Sequence, residues 1–297
     1  MTSKEQAGRV PKFERVLDEL KQSVSSRSTF SRFSFLIRLL YVNSHYRVSN
    51  NYFDALLALL SDASPGCNIP KSCEEAHKYI QELGQGYESI HVCKNNYVLF
   101  WGDHEELQAC LKCKESRWED ADGTRRVPHK VLRHFPLISR LSRIFAARGT
   151  TTDAEWHETK REKNTDEMGY PADGEAWQDF NRKHPTFADD PRNLRLAVAI
   201  DGFNPFGNFS STYSMWPVLV TPLNLPPWEY VNPSNCFMSL LILGPTSLGK
   251  DFDVFLEPLI EELKELRKGV NTFHVLYPDD KEGFTRTLPC FGAYTIF

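Results

Sequence analysis

The chain has 297 residues, a formal net charge of −4, and 41% apolar and 12% aromatic residues. That length and apolar content suit about two domains with real cores and exclude bulk disorder. The near-balanced charge excludes a polycation along the whole chain, so any contact with a polyanion rests on local patches.

The N-terminus, "MTSKEQAGRVPKFERVLDEL", is charged and carries no apolar signal-peptide core. No apolar run approaches the roughly 18 residues that cross a bilayer. Seven Cys at irregular spacings fit a reducing, intracellular compartment better than a disulfide framework.

Residues 1–10 read as a frayed tail and 11–85 as helical. "FERVLDELKQSV", "FSRFSFLIRLLYV", "NNYFDALLALLSDA" and "CEEAHKYIQELG" each repeat apolar residues at spacings of three and four. Ser49 or Asn50 caps the third of these, and Pro70, Lys71 and Ser72 open the fourth. Such clusters include helix-turn-helix modules and plain packing bundles alike.

Residues 86–118 change character. "YESIHVCKNNYVLFWG" predicts a hairpin turning at Lys94-Asn95-Asn96. "ACLKCKESRW" then sets Cys110 and Cys113 in a C-x-x-C, with Cys93 on the hairpin. Two thiolates three residues apart at a turn can share one tetrahedral Zn²⁺, and a full site wants four ligands. Three Cys are at hand, with His91 as a candidate fourth. Zinc and plain reduced cysteines both fit the spacing, whereas redox chemistry would want a βαβ neighbour.

Residues 119–126 read as a polar link, and 127–147 as a basic amphipathic helix kinked at Pro136. Its buried side is Leu132, Phe135, Leu137, Ile138, Leu141, Ile144 and Phe145. Across Arg125–Arg148 stand seven Lys/Arg, two His and no acid. Arg125, Arg126, Lys130, Arg133, Arg140, Arg143 and Arg148 could track phosphates, or simply form a solvated face. Short helices at 152–162 and 174–183 carry Trp156 and Trp177 as packing anchors.

From residue 193 the periodicity becomes that of strands. "LRLAVAID", "SMWPVLVTPLNLP" and "CFMSLLILG" are three β-runs, and "DVFLEPLIEELKELRKG" is a helix. Asp201 ends the first run. Acids gathered from separate strands hold two Mg²⁺ ions in nucleic-acid-processing domains. An Asp before Gly202 is equally at home in a turn.

Gly244, Gly249 and Lys250 reproduce the phosphate-loop spacing G-x-x-x-x-G-K. The next residue is Asp251 where Ser or Thr would ligate Mg²⁺, and the 47 residues beyond Lys250 are too few for a doubly wound fold. A Gly/Pro turn is the better reading, with no nucleotide partner.

"LRLAVAIDGFNPFGNFSSTYSMWPVLVTPLNLPPW", "FMSLLILGPTSLGKDFDVFLEPLIEELKEL", "YPADGEAWQDFNRKHPTFADDPRN" and "VPHKVLRHFPLISRLSRIF" resemble plant CACTA (En/Spm-type) transposases. Upstream, "FSFLIRLLYVNS", "SNNYFDALLALLSDA" and "YESIHVC" extend the likeness to about residues 12–273. The resemblance implies a DDE-type transposase with an RNase H-like core that cuts and joins DNA with Mg²⁺. It also implies DNA (transposon ends) as partner, with self-association, in the nucleus. It assigns Asp201 as the first catalytic carboxylate, a metal ligand, and Cys93, Cys110 and Cys113 to a zinc-binding segment. In that family's pattern a fourth Cys stands where this chain has Tyr97, and the later catalytic acids come from sequence not present here.

The expected fold is α+β: a helical N-terminal region at 11–85, a small zinc-ribbon-like insert at 86–118 and a basic helical linker region at 119–192. A partial RNase H-like α/β core at 193–275 and a divergent tail at 276–297 follow. The expected function is that of a transposon-derived transposase fragment, inactive alone and holding zinc weakly. The alternative is a non-enzymatic DNA- or protein-binding factor using residues 11–148. No membrane contact is expected.

Overall fold

The computed structural model describes residues 19–26, 28–82, 86–120, 126–145, 148–161, 168–205, 213–244, 252–272 and 285–286. The chain divides into two compact units, residues 1–86 and 87–297.

The first unit holds three helices, α1 (Arg32–His45), α2 (Asn50–Ala63) and α3 (Cys73–Glu82). Each begins at a serine whose hydroxyl accepts an otherwise unpaired N–H. Ser31 takes Ser34 N, Ser49 takes Tyr52 N, and Ser72 takes Glu75 N at 3.1 Å. The Glu75 carboxylate reaches back to Lys71 N at 2.7 Å. Asp54 on α2 accepts from Cys73 N at 2.6 Å and fixes where α3 starts. Leu20, Leu36, Phe53, Leu57, Cys73 and Ala76 form the core, the helical spacing turned into a buried stripe. Of the N-terminal helix predicted at 13–24, residues 19–21 are helical and residues before 19 lie outside the described set.

The second unit is organised by a six-stranded sheet in the order β2-β1-β3-β6-β5-β4, antiparallel at every pairing. Its strands are β1 (Glu88–Val92), β2 (Leu99–Phe100), β3 (Lys130–His134), β4 (Leu196–Ile200), β5 (Ser214–Pro222) and β6 (Phe237–Gly244). The predicted hairpin is β1–β2, and the three predicted β-runs are β4, β5 and β6.

The reading of 127–147 as one amphipathic helix is overturned. Residues 130–134 are a central strand, paired with β1 on one side and β6 on the other. Phe135 N still reaches Ser239 O at 2.7 Å, and Pro136, with no N–H to give, ends the ladder. Only then does a short helix, α4 (Ile138–Ser142), begin. Of the seven side chains expected on the buried side, Leu132, Leu137, Leu141, Ile144 and Phe145 lie in the main core, while Phe135 and Ile138 are half-buried. A half-buried strand followed by a single helical turn imitated one helical stripe. The hairpin, linker and core segments therefore share one sheet rather than following one another as separate modules.

Between β3 and β4 lie α5 (Arg148–Ala154), α6 (Trp156–Thr159), α7 (Glu175–Lys183) and α8 (Pro185–Ala188). Trp177 is buried and Trp156 packs beside it, both as the anchors expected. Strand β4 is covered on both faces. Leu196, Val198 and Ile200 join the main core while Ala197 meets Tyr170, Trp177 and Leu223. That is why "LAVAI" shows no alternation of polar and apolar residues. After the short α9 (Pro227–Tyr230) and β6 comes α10 (Phe252–Lys268), which lays Phe255, Leu259 and Leu266 into the main core. Strands β7 (Val270–Asn271) and β8 (Thr285–Arg286) pair separately.

Candidate functional site

Cys93, Cys110 and Cys113 come together, their sulfurs all within 4.8 Å of one another. Two tight turns bring this about. At the hairpin, Cys93 N reaches Val98 O at 2.9 Å and Asn96 N reaches Cys93 O at 2.9 Å, with Asn96 left-handed at φ 61°. At the C-x-x-C, Cys110 N reaches Glu115 O at 2.9 Å and Lys114 N reaches Cys110 O at 3.0 Å, with Lys114 at φ 63°. Each turn folds its cysteine back toward the other. Asn tolerates the left-handed region and Lys does not favour it, so the second turn holds strain that its own backbone hydrogen bonds sustain.

The sulfurs of Cys93 and Cys113 are 3.4 Å apart. Burial pushes the Cys93 thiol up to about 11, and the neighbouring thiols of Cys113 and Cys110 add to this against the N–H groups of Tyr97 and Asn95. Desolvation also acts to raise Cys113. The Glu115 N–H and the Cys93 and Cys110 thiols outweigh it and bring Cys113 down to about 7. Cys113 thus ionises before Cys93.

Ideal tetrahedral zinc with Zn–S near 2.3 Å sets its sulfurs about 3.8 Å apart. The three cysteines fit three of those four corners. His91, the candidate fourth ligand, is not among the side chains that gather there. Its Nδ1 accepts from Arg117 Nε at 2.8 Å, its ring meets Trp118 edge-on, and it stands outside the thiol group. Burial, with the Arg117 charge, lowers its pKa. Tyr97 lies exposed on the hairpin turn. A zinc ion held by the three sulfurs would tie the hairpin turn to the C-x-x-C turn.

Asp201 follows β4 directly and is exposed. The pairs Ile200↔Val218 and Phe203↔Met215 bracket it, which puts it across from Pro217. Pro217 has no N–H, so the ladder opens there. Beside it, Gly202 lies against the Trp216 indole, where a Cβ would sit 2.6 Å from ring carbons. The carboxylate therefore projects from a strand end held by close packing. Among the described residues it belongs to no group of three or more metal-ligating side chains. One carboxylate does not fit a two-Mg²⁺ set. Lys250, Asp251, Asp279 and Asp280 lie outside the described residues, and so does most of the G-x-x-x-x-G-K stretch.

The basic residues of 125–148 do not line one helix. Arg125 is outside the described residues. Arg126 is exposed, its guanidinium 5.8 Å from the Trp118 ring centre. Lys130 donates to Asn96 Oδ1 at 2.7 Å, and Arg133 lies over Tyr87. Arg140 donates to Met238 O at 2.7 Å and stacks on Phe135, a structural role. Arg143 and Arg148 are exposed.

Sequence reasoning missed a buried ionic link. His134 Nε2 meets Glu262 Oε2 at 3.0 Å, and the same carboxylate accepts from Leu137 N at 2.9 Å. The partners are 128 residues apart and carry no shared motif.

An antiparallel sheet with a carboxylate at the end of one edge strand, β4, and a thiol group on the hairpin at the opposite edge does not by itself define a class of protein. The comparison with known families narrows the class for part of the chain. Residues 165–285 match the transposase family tnp2. The span takes in Asp201, β4 to β6 and α10, so the likeness to a transposase lies in this segment. The thiol group lies upstream of it. No curated protein matches the chain. Among the described residues, no helix is long and apolar enough to cross a membrane.

Proposed function

We propose that this chain derives from a CACTA (En/Spm-type) plant transposase acting on DNA in the nucleus. The observation that carries the proposal is the position of Asp201 within the tnp2-family match, at the end of the first strand of an antiparallel β4–β5–β6 run that leads into α10. That order is the opening of an RNase H-like core. In the ancestral enzyme Asp201 is the first carboxylate of a Mg²⁺-holding set that cleaves and rejoins transposon ends, and self-association pairs those ends. Cys93, Cys110 and Cys113 hold zinc weakly, because Tyr97 stands where the family's pattern has a fourth Cys. Among the described residues Asp201 belongs to no metal-ligating group of three or more, and a lone carboxylate leaves the leaving oxygen without a fixed second metal, so the 297-residue chain by itself is inactive in strand cleavage.

The test is a cleavage and strand-joining assay on DNA with CACTA-type ends in Mg²⁺ or Mn²⁺. No product is expected from this chain. Activity is expected from a longer chain carrying the family's further acids, and Asp201→Asn abolishes it there. Cleavage by the 297-residue chain that disappears in Asp201→Asn would overturn the inactivity. A longer chain indifferent to Asp201→Asn would remove Asp201 from the site.

A second reading, a non-enzymatic DNA- or protein-binding factor working through residues 11–148, is favoured by the exposed Arg126, Arg143 and Arg148.

A further inference from the structure

Residues 21–53 carry five Lys/Arg and one His and no Asp or Glu. Helix α1 runs through the middle of this stretch. It buries Arg32 and Leu36 and turns outward Ser34, Ile37, Arg38, Tyr41, Val42 and His45, which share one face at helical spacing. The rings on this side are open. Tyr41 is 63% exposed and Tyr46 is 70% exposed. Tyr41 and His45 stack with ring centres 5.3 Å apart and planes 19° apart, and Tyr46 meets His45 edge-on at 4.8 Å. The Arg38 guanidinium lies 4.7 Å from the Phe30 ring centre. Arg47, exposed, follows Tyr46 in a left-handed turn at φ 51°. Positive charge without a nearby acid in sequence, interleaved with flat exposed rings, is the chemistry that takes phosphates and unpaired bases together.

We propose that the outward face of α1, with Arg38, Tyr41, His45, Tyr46 and Arg47, binds single-stranded nucleic acid. Tyr41 and Tyr46 stack on bases while Arg38 and Arg47 contact the backbone. A duplex hides its base faces, so rings of this kind favour an unpaired strand. The run of residues 21–53 without an acid favours a polyanion, and the rings favour a nucleic acid over an acidic protein. The inference deepens the binding-factor reading and is independent of Asp201, so binding is scored where no cleavage is needed.

The experiment is fluorescence anisotropy of the full chain with labelled oligothymidylate, with a duplex of the same length, and with unlabelled polyglutamate as competitor. Variants are Tyr41→Ala, Tyr46→Ala, the pair Arg38→Gln and Arg47→Gln, and the pair Arg143→Gln and Arg148→Gln. All replace exposed side chains, and circular dichroism verifies that each folds. The single strand is expected to bind more tightly than the duplex. Each tyrosine variant is expected to bind about tenfold more weakly. The Arg38/Arg47 pair is expected to flatten the log–log salt slope by about 1.4, from about 0.7 per phosphate contact. No binding by the wild type, or binding untouched by the Tyr41 and Tyr46 variants, overturns the proposal. Binding lost only in the Arg143/Arg148 variant overturns this surface while leaving the broader binding-factor reading standing. Displacement by polyglutamate as effective as by unlabelled oligonucleotide assigns the face to an acidic protein instead.

Discussion

Replacing Glu262 by Gln should abolish much of the alkaline sensitivity of the second unit. His134 is 4% exposed, on the central strand β3, and Glu262 reaches it from α10. Burial alone would lower the histidine's pKa. The Glu262 hydrogen bond outweighs it, and Glu88, 3.7 Å from Nδ1, adds charge, so His134 is lifted to about 9. The unfolded value is near 6.5. A raised folded value means the stabilisation is fully present below pH 6.5 and is lost as pH rises through about 9. At 1.36 kcal/mol per pH unit, that climb corresponds to about 3 kcal/mol. In Glu262→Gln the charge is gone and His134 titrates lower. Glu262→Gln also weakens the hydrogen bonds at Leu137 N, at a pH-independent cost of about 1 kcal/mol. Urea unfolding at pH 6 and pH 9.5 separates the two effects. Wild type should lose about 2–3 kcal/mol more than Glu262→Gln between those conditions. An equal loss in both proteins would mean that His134 is not held charged by Glu262.

Gly202→Ala places a methyl group 2.6 Å from the Trp216 ring, and should cost about 1–3 kcal/mol through displacement of the indole. Thermal unfolding should fall by several degrees, and an unchanged midpoint would show that Trp216 has room to move. For zinc, elemental analysis should find substoichiometric metal in wild type and higher occupancy in Tyr97→Cys, because a fourth thiolate completes the tetrahedron. One tight zinc in wild type, unaltered by that substitution, would show that three sulfurs suffice.

Much of the architecture was legible in the chain itself. Ser49 and Ser72 cap their helices because a hydroxyl beside free N–H groups is a local matter, settled within three residues. The runs "LAVAI" and "FMSLLIL" announced strands by unbroken apolar character, and Phe255, Leu259 and Leu266 announced a helix by spacing. The meeting of Cys93 with Cys110 and Cys113 could be anticipated, since a hairpin and a C-x-x-C turn are both short-range devices. Tertiary structure decided the rest. Residues 130–134 carry a pattern that a helix or a strand would bury equally well, and hydrogen bonds from β1 and β6 chose the strand. Lys130 and Arg140 read as phosphate contacts, yet Asn96 and Met238, distant in sequence, claim their protons. His91, read as a candidate fourth zinc ligand, accepts from Arg117 and lies outside the thiol group. His134 and Glu262 show the limit most clearly: a charge buried in a sheet is stable only beside an opposite charge, and the packing of α10 on that sheet brings the nearer one, Glu262, beside Glu88 of β1.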